Sequence, residues 1–150
     1  MKKIYMLLIP IFIIILTGCG KNKTLVCTRD NETTNNVLIR STANIEYTDE
    51  KLVSFKLETI TDLSKTDLLN DEFVESIIKS SSETTKKLGS VDGISTNYEK
   101  VNVGVKYTLE VDYDKLKEED TKDLDQTLYR KDMKLEDLKE GYLKDWTCEE

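Results

Sequence analysis

Histidine is missing from all 150 residues, and with it goes the commonest general base and metal ligand among side chains. A Ser–His–Asp hydrolase is excluded outright. No Gly-x-Ser-x-Gly elbow, phosphate-binding glycine loop or Cys-x-x-Cys pair occurs either. Proline appears once, at Pro10, and tryptophan once, at Trp146. Carboxylates are plentiful, but no cleft-forming aromatic set accompanies a pair suited to glycoside cleavage. These absences argue against an enzyme and imply no cofactor.

The one long hydrophobic run lies at the start. Lys2 and Lys3 form a positive n-region, and the thirteen residues from Ile4 to Leu16 form an apolar stretch broken only by Pro10. The chain then turns polar at Gly20, Lys21, Asn22 and Lys23. A membrane-spanning helix needs about 20 apolar residues, so the order reads as an export signal. The alternative is an uncleaved N-terminal signal anchor. Leu16-Thr17-Gly18-Cys19 resembles the lipobox of bacterial lipoproteins, in which the cysteine takes up a diacylglycerol and the peptide before it is removed. The expected organisation is a signal peptide over residues 1–18, a lipidated tether over 19–23 and one domain over 24–150. The thiol of Cys19 becomes a thioether, and the expected location is the outer face of the bacterial cell membrane.

Removing residues 1–18 takes Lys2 and Lys3 and no acid, leaving 20 basic and 29 acidic residues and a net charge of −9. Such a surface repels phosphate backbones and anionic headgroups, which argues against a nucleic-acid partner and against electrostatic membrane docking. Membrane attachment would come through the lipid on Cys19. The 132 residues that remain suffice for one core. With Cys19 lipidated, Cys27 and Cys148 are the disulfide candidates in a compartment that permits oxidation. Bonded, they would close a loop of more than a hundred residues, for which the chain-entropy model gives about 4 to 5 kcal/mol, usually an overestimate. The other reading is two separate buried thiols. Zinc would need carboxylates to complete four ligands.

Along the chain, residues 24–28 predict a short strand and 29–36 a polar turn region. Val37, Ile39, Ala43, Ile45 and Tyr47 alternate with polar residues, a turn follows at Thr48-Asp49-Glu50-Lys51, and Val53, Phe55 and Leu57 alternate again, predicting a hairpin with one buried face. Over 66–88 the spacing of Leu69, Phe73, Val74, Ile77, Ile78 and Leu88 predicts an amphipathic helix. Ser64-Lys65-Thr66-Asp67 resembles a capping box, Lys86 and Lys87 suit the negative helix end, and Gly89 suits termination. Period two returns at Ile94, Thr96 and Tyr98 and again from Val101 to Tyr113, with a turn expected between Glu99 and Gly104. Residues 114–130 are charged and loosely helical. Leu135, Leu138 and Tyr142 mark a short helix, and residues 146–148 form a packing segment returning Cys148 to the sheet.

The expected fold is therefore α+β: an antiparallel sheet of two hairpins, with one long helix packed on one face and a short C-terminal helix. Val and Tyr at the odd positions of 101–113 read as core rather than as a ligand platform. The acidic cluster of Asp112, Asp114, Glu118, Glu119, Asp120, Asp123 and Asp125 suggests a hard cation such as calcium. It lacks EF-hand spacing and glycine, and Lys115, Lys117 and Lys122 interrupt it, so a solvated charged face is the plainer reading.

This arrangement resembles the YehR-like family of small bacterial lipoproteins. The likeness lies in the lipobox at Cys19, the 44–59 hairpin with its Tyr47-Thr48-Asp49-Glu50-Lys51 turn and the helix before Gly89. It continues through Val91-Asp92-Gly93-Ile94, the 105–116 strand with Val111-Asp112-Tyr113-Asp114, and the Met133–Leu138 helix. The paired cysteines look like a feature of only some relatives. The resemblance implies a membrane-tethered extracytoplasmic domain and adds no activity. Two functions stand at this point. One is a noncatalytic binding or scaffold module whose partner is an envelope protein or polymer, for which exposed apolar patches are the expected sign. The other is a small-ligand or cation-binding accessory of a transporter.

Overall fold

Alternating apolar and polar residues need one dry face and one wet face, and the chain builds a sheet of that kind. The computed structural model describes residues 22–49 and 51–150. Six strands, β1 (Lys23–Glu32), β2 (Leu38–Thr48), β3 (Lys51–Asp62), β4 (Ile94–Val101), β5 (Gly104–Asp112) and β6 (Thr147–Glu149), pair antiparallel in the order β4-β5-β3-β2-β1-β6. Three helices, α1 (Asp71–Thr85), α2 (Glu118–Thr121) and α3 (Leu135–Glu140), complete an α+β fold. The sheet is thus larger than a pair of hairpins, because β3 joins β5 and β1 and β6 extend the other side.

Register decides which side chains meet. Cys27, Ala43, Leu57 and Leu109 align across four strands, as do Leu25, Ile45, Phe55 and Val111, and all are buried on one face. The 29–32 segment, expected as a turn, instead continues β1 by pairing with residues 38–41; only 33–37 turns, with Asn36 in the left-handed region at φ 59°. Ladder pairing outweighs the turn preference of its polar side chains. A bulge lies between Glu46 and Tyr47, where Tyr47 pairs with Leu52. The inward position therefore falls to Leu52, and the expected Val53 is only half-buried, its carbonyl accepting from Tyr113 N at 3.1 Å. Between β4 and β5 the chain turns at 102–103, and Gly104, at φ 148°, lets the β5 start lie against the Thr61 carbonyl where a Cβ would clash.

The helix departs from expectation at both ends. Its cap is Asn70, whose Oδ1 accepts from Phe73 N at 2.9 Å, rather than the 64–67 sequence, which forms hydrogen-bonded turns. It ends at Thr85, so Lys86 and Lys87 lie past its last turn and Gly89 falls in a 3-10 turn over Leu88–Ser90. Thr84 and Thr85 hydroxyls bond back to the Ser80 and Ser81 carbonyls at 2.9 and 3.1 Å, a habit of weak helix formers. Only Val74 of α1 is fully buried, packing with Leu63 and Val105 at the β4–β5 end of the face.

Most of that face is covered by residues 113–146 instead. Tyr113, Leu116, Leu128, Tyr129, Met133, Leu135, Leu138 and Leu143 are all buried against the strands. A run with so little helix covers so much because its apolar side chains point down from successive turns: α2 has four residues and α3 six, and Tyr142 lies beyond α3. The buried Tyr113 hydroxyl donates to the Leu128 carbonyl at 2.9 Å, tying this layer to β5. Burial and neighbouring Tyr129 push its pKa far up, so it stays a donor.

The layer ends in β6, where Cys148 sits opposite Cys27 and the two form a disulfide spanning 121 residues. Bonding constrains the unfolded chain, so Cys148→Ser is expected to lower unfolding free energy in urea by about 2 to 4 kcal/mol. Tyr113→Phe should cost about 1 to 2 kcal/mol in the same titration by leaving the Leu128 carbonyl unpartnered.

Candidate functional site

Strand direction gives the domain two distinct ends. At one, β1 begins at Lys23 beside Tyr47 and the C-terminal Glu150. At the other, β1 ends at Glu32, β2 begins at Leu38 and β3 ends at Asp62 opposite Gly104. Ten residues of β1 separate the two ends by about 30 Å.

Among the described residues four large apolar side chains are left exposed: Val26 stands alone on β1 beside β6, and the other three cluster at the far end. Leu68 and Leu69 are each 40% exposed and Phe73 36%, three within six residues. They are held out by a chain of local bonds. Leu63 N donates to the Val103 carbonyl at 2.7 Å, Thr66 Oγ1 donates to the Leu63 carbonyl at 2.8 Å, and Leu68 N donates to Thr66 Oγ1 at 3.1 Å. Asn70 N donates to the Leu68 carbonyl at 2.8 Å, and its side chain caps α1. A helix stripe read as inward is therefore turned partly outward, because α1 starts at Asp71, five residues after the start its periodicity suggests. Between α1 and the 101–103 turn lies a groove of about 450 Å³ whose apolar lining is Leu69, Val74 and Val101. Lys100 Nζ to Asp71 Oδ1, 2.7 Å, crosses its rim.

Asp62 anchors the loop that leads there. Its Oδ1 accepts from the Ser64 hydroxyl at 2.6 Å and from Ser64 N at 2.9 Å, and Arg40 Nη2 lies 3.4 Å from Oδ2. These bonds hold its carboxyl below the usual carboxylate range, the Ser64 hydroxyl first and the Arg40 charge after it.

The face opposite the core is polar. Lys56 lies 3.2 Å from Glu110 and 3.5 Å from Glu58, Lys106 pairs with Glu99, and the Ser54 hydroxyl donates to Glu46 at 3.2 Å. The Glu110 hydrogen bond, with Glu58, raises the Lys56 pKa, and such exposed pairs contribute little to stability.

The residues singled out in the sequence fall as follows. Cys19 lies outside the described residues. Cys27 and Cys148 meet across β1 and β6. The acidic cluster is dispersed: Asp112 binds Lys115 at 2.8 Å, Asp125 caps its own turn at Thr127 at 2.9 Å, and Glu118, Glu119 and Asp120 point along exposed α2. Among the described residues no group of three or more Cys, Asp or Glu is placed to hold a metal ion. The aromatic stripe of β5 divides: Tyr113 is core, whereas Tyr107 is half-buried and stacks on Tyr98 with ring centroids 4.7 Å apart. Burial, with Tyr98 and Tyr142 nearby, pushes the Tyr107 pKa up to about 12. The Leu68, Leu69 and Phe73 patch was the feature missed, and the signal for it was Thr66 and Asn70, which compete with helix continuation.

No family model matches the chain, and no curated protein matches it. Among solved structures, it is similar to the E. coli YehR protein determined by NMR, with a TM-score of 0.53 and 11% identity over 83% of this chain and 87% of that one. A protein from Streptococcus pneumoniae TIGR4, also determined by NMR, aligns with a TM-score of 0.49 and 14% identity, over 82% of this chain and 77% of that one. At this identity the likeness to YehR establishes a shared fold. No helix among the described residues is long and apolar enough to cross a membrane.

Protonating Asp62 weakens its bonds to Ser64 and its attraction to Arg40 at the start of the loop bearing the patch. The unfolded carboxyl binds its proton at higher pH than the native one, so stability is retained at neutral pH and falls as pH drops through the native pKa. Urea titrations from about pH 6 to about pH 2.5 should show a shallower acid decline for Asp62→Asn than for the parent, with the curves parallel above about pH 5.

Proposed function

We propose that this chain is a lipid-anchored, noncatalytic binding module on the outer face of the bacterial cell membrane, recruiting an envelope protein or polymer through the apolar end of its sheet. In this reading it is a YehR-like lipoprotein, with residues 1–18 removed, Cys19 carrying the lipid, and residues 24–150 forming the displayed domain. The observation that carries it is the exposed Leu68, Leu69 and Phe73 cluster beside an open groove. Leaving such side chains in water forgoes burial of about 25 cal/mol per Å², and contiguous apolar patches on soluble domains mark interaction sites. Their position supports the same reading: β1 follows the tether directly, and the patch sits a strand's length away from it. A partner fixed in the envelope is met there with the anchor out of the way.

Intact cells carrying a photo-crosslinking amino acid at Leu69 should yield one specific adduct that disappears when Leu68 and Phe73 are both changed to serine. The same adduct appearing from an exposed position such as Asn97 on the open face, or none appearing from Leu69, counts against the patch. Mass spectrometry of the native product is expected to find the chain beginning at a diacylated Cys19; an intact leader with a free thiol there would remove the anchor from this account.

A further inference from the structure

A second surface, separate from the apolar end, lies along the outer edge of β1. β6 covers only Val26–Thr28, whereas β1 continues to Glu32. Beyond Thr28 the outer side of β1 has no strand beside it among the described residues. The chain entering β6 veers off at Asp145, and between it and β1 lies a groove of about 690 Å³ lined by Thr28, Arg29, Asp30, Asn31, Asp145 and Thr147.

Cross-strand geometry says which backbone groups face that groove. The Cα atoms of Cys27 and Cys148 are 4.0 Å apart, the close spacing of a non-hydrogen-bonded antiparallel pair. Cys27 therefore directs its N–H and C=O toward β2, and Val26 and Thr28 direct theirs toward β6. The alternation continues along the strand, so Asp30 and Glu32 point their N–H and C=O groups outward, Asp30 into the groove and Glu32 along the same edge just beyond its lining. Side chains on this edge are acidic at three positions, Asp30, Glu32 and Asp145, against one base, Arg29; Arg40 stands opposite Asp30 on β2, with its guanidinium 3.4 Å from Asp62.

We propose that this edge is a strand-addition site for an extended peptide segment of another protein that carries Lys or Arg at alternate positions. The segment extends the sheet in line with β6, taking hydrogen bonds from the main chain of Asp30 and Glu32, while its basic side chains lie beside the two carboxylates. A second copy of the chain is the wrong occupant. Any twofold antiparallel pairing of two β1 edges through their outward residues sets Asp30 or Glu32 against an acid of the other copy, and like charges directly opposite are destabilising.

The test is selection of displayed random octapeptides on the full chain in detergent with its disulfide intact. Enriched peptides should carry Lys or Arg at alternate positions. Asp30→Pro removes one outward donor and none from the β1–β2 ladder, so it should retain the fold and weaken those peptides about tenfold or more. Asp30→Asn keeps the donor and should weaken them less while flattening the dependence on salt. Should the proline variant fail to fold, hydrogen exchange on the parent chain decides: bound peptide must slow exchange at the Asp30 and Glu32 amides specifically. No enrichment, peptides without basic alternation, or protection confined to residues 63–74 overturns the edge site; the last of these leaves the apolar-end reading standing.

Discussion

Everything in this fold follows from a sheet that is dry on one side only. Six antiparallel strands place Leu25, Cys27, Ala43, Ile45, Phe55, Leu57, Leu109 and Val111 on the same face, and those side chains must be roofed. The opposite face needs no roof because its polar residues pair with each other and with water. Stability therefore rests on how well one layer covers one face. The layer that does so is the 113–146 run. It has little regular structure, and its buried side-chain polar atoms are nonetheless satisfied within the described residues, as the Tyr113 hydroxyl on the Leu128 carbonyl illustrates.

Such a layer is held by its ends. Tyr113 continues β5 at its start, and β6 is zipped to β1 through Cys148 at its finish, so the roof is pinned to the sheet at both margins. α1 plays a smaller part: it closes the β4–β5 corner over Val105 and Leu63 and, by starting only after its Asn70 cap, leaves an apolar shoulder in water. That shoulder is a consequence of local turn chemistry, since Thr66 and Asn70 consume the hydrogen bonds that an earlier helix start would have used.

Period-two patterning made β2, β3, β4 and β5 legible in the sequence, since each alternates and buries one set of side chains, β3 changing set at its bulge. The α+β class followed from that. What escaped the reading has physical causes. The bulge at Glu46 and Tyr47 moved the inward position from Val53 to Leu52, and no local signal announces a one-residue slip. The 29–32 segment is polar enough to look like a turn, yet pairing supplies every backbone partner it needs on the β2 side. The covering role passed from the helix to the 113–146 run because tertiary contact, not helical period, selected its leucines. The apolar shoulder was read as helix interior, for periodicity reports spacing and is blind to where a cap cuts the helix off.

One consequence reaches beyond packing. On the proposed lipoprotein organisation β1 would lead directly out of the tether, and its ten register pairs with β2 run along the line joining the two ends of the domain. A tug applied between a lipid at Cys19 and a ligand gripped at the opposite tip would load those rungs together in shear rather than peel them singly. The covalent Cys27–Cys148 staple would hold the last strand in place meanwhile. Resistance to mechanical extraction would then reside in the geometry of a single ladder, and slow rupture of that ladder, more than equilibrium stability, would set how long a stretched attachment survives.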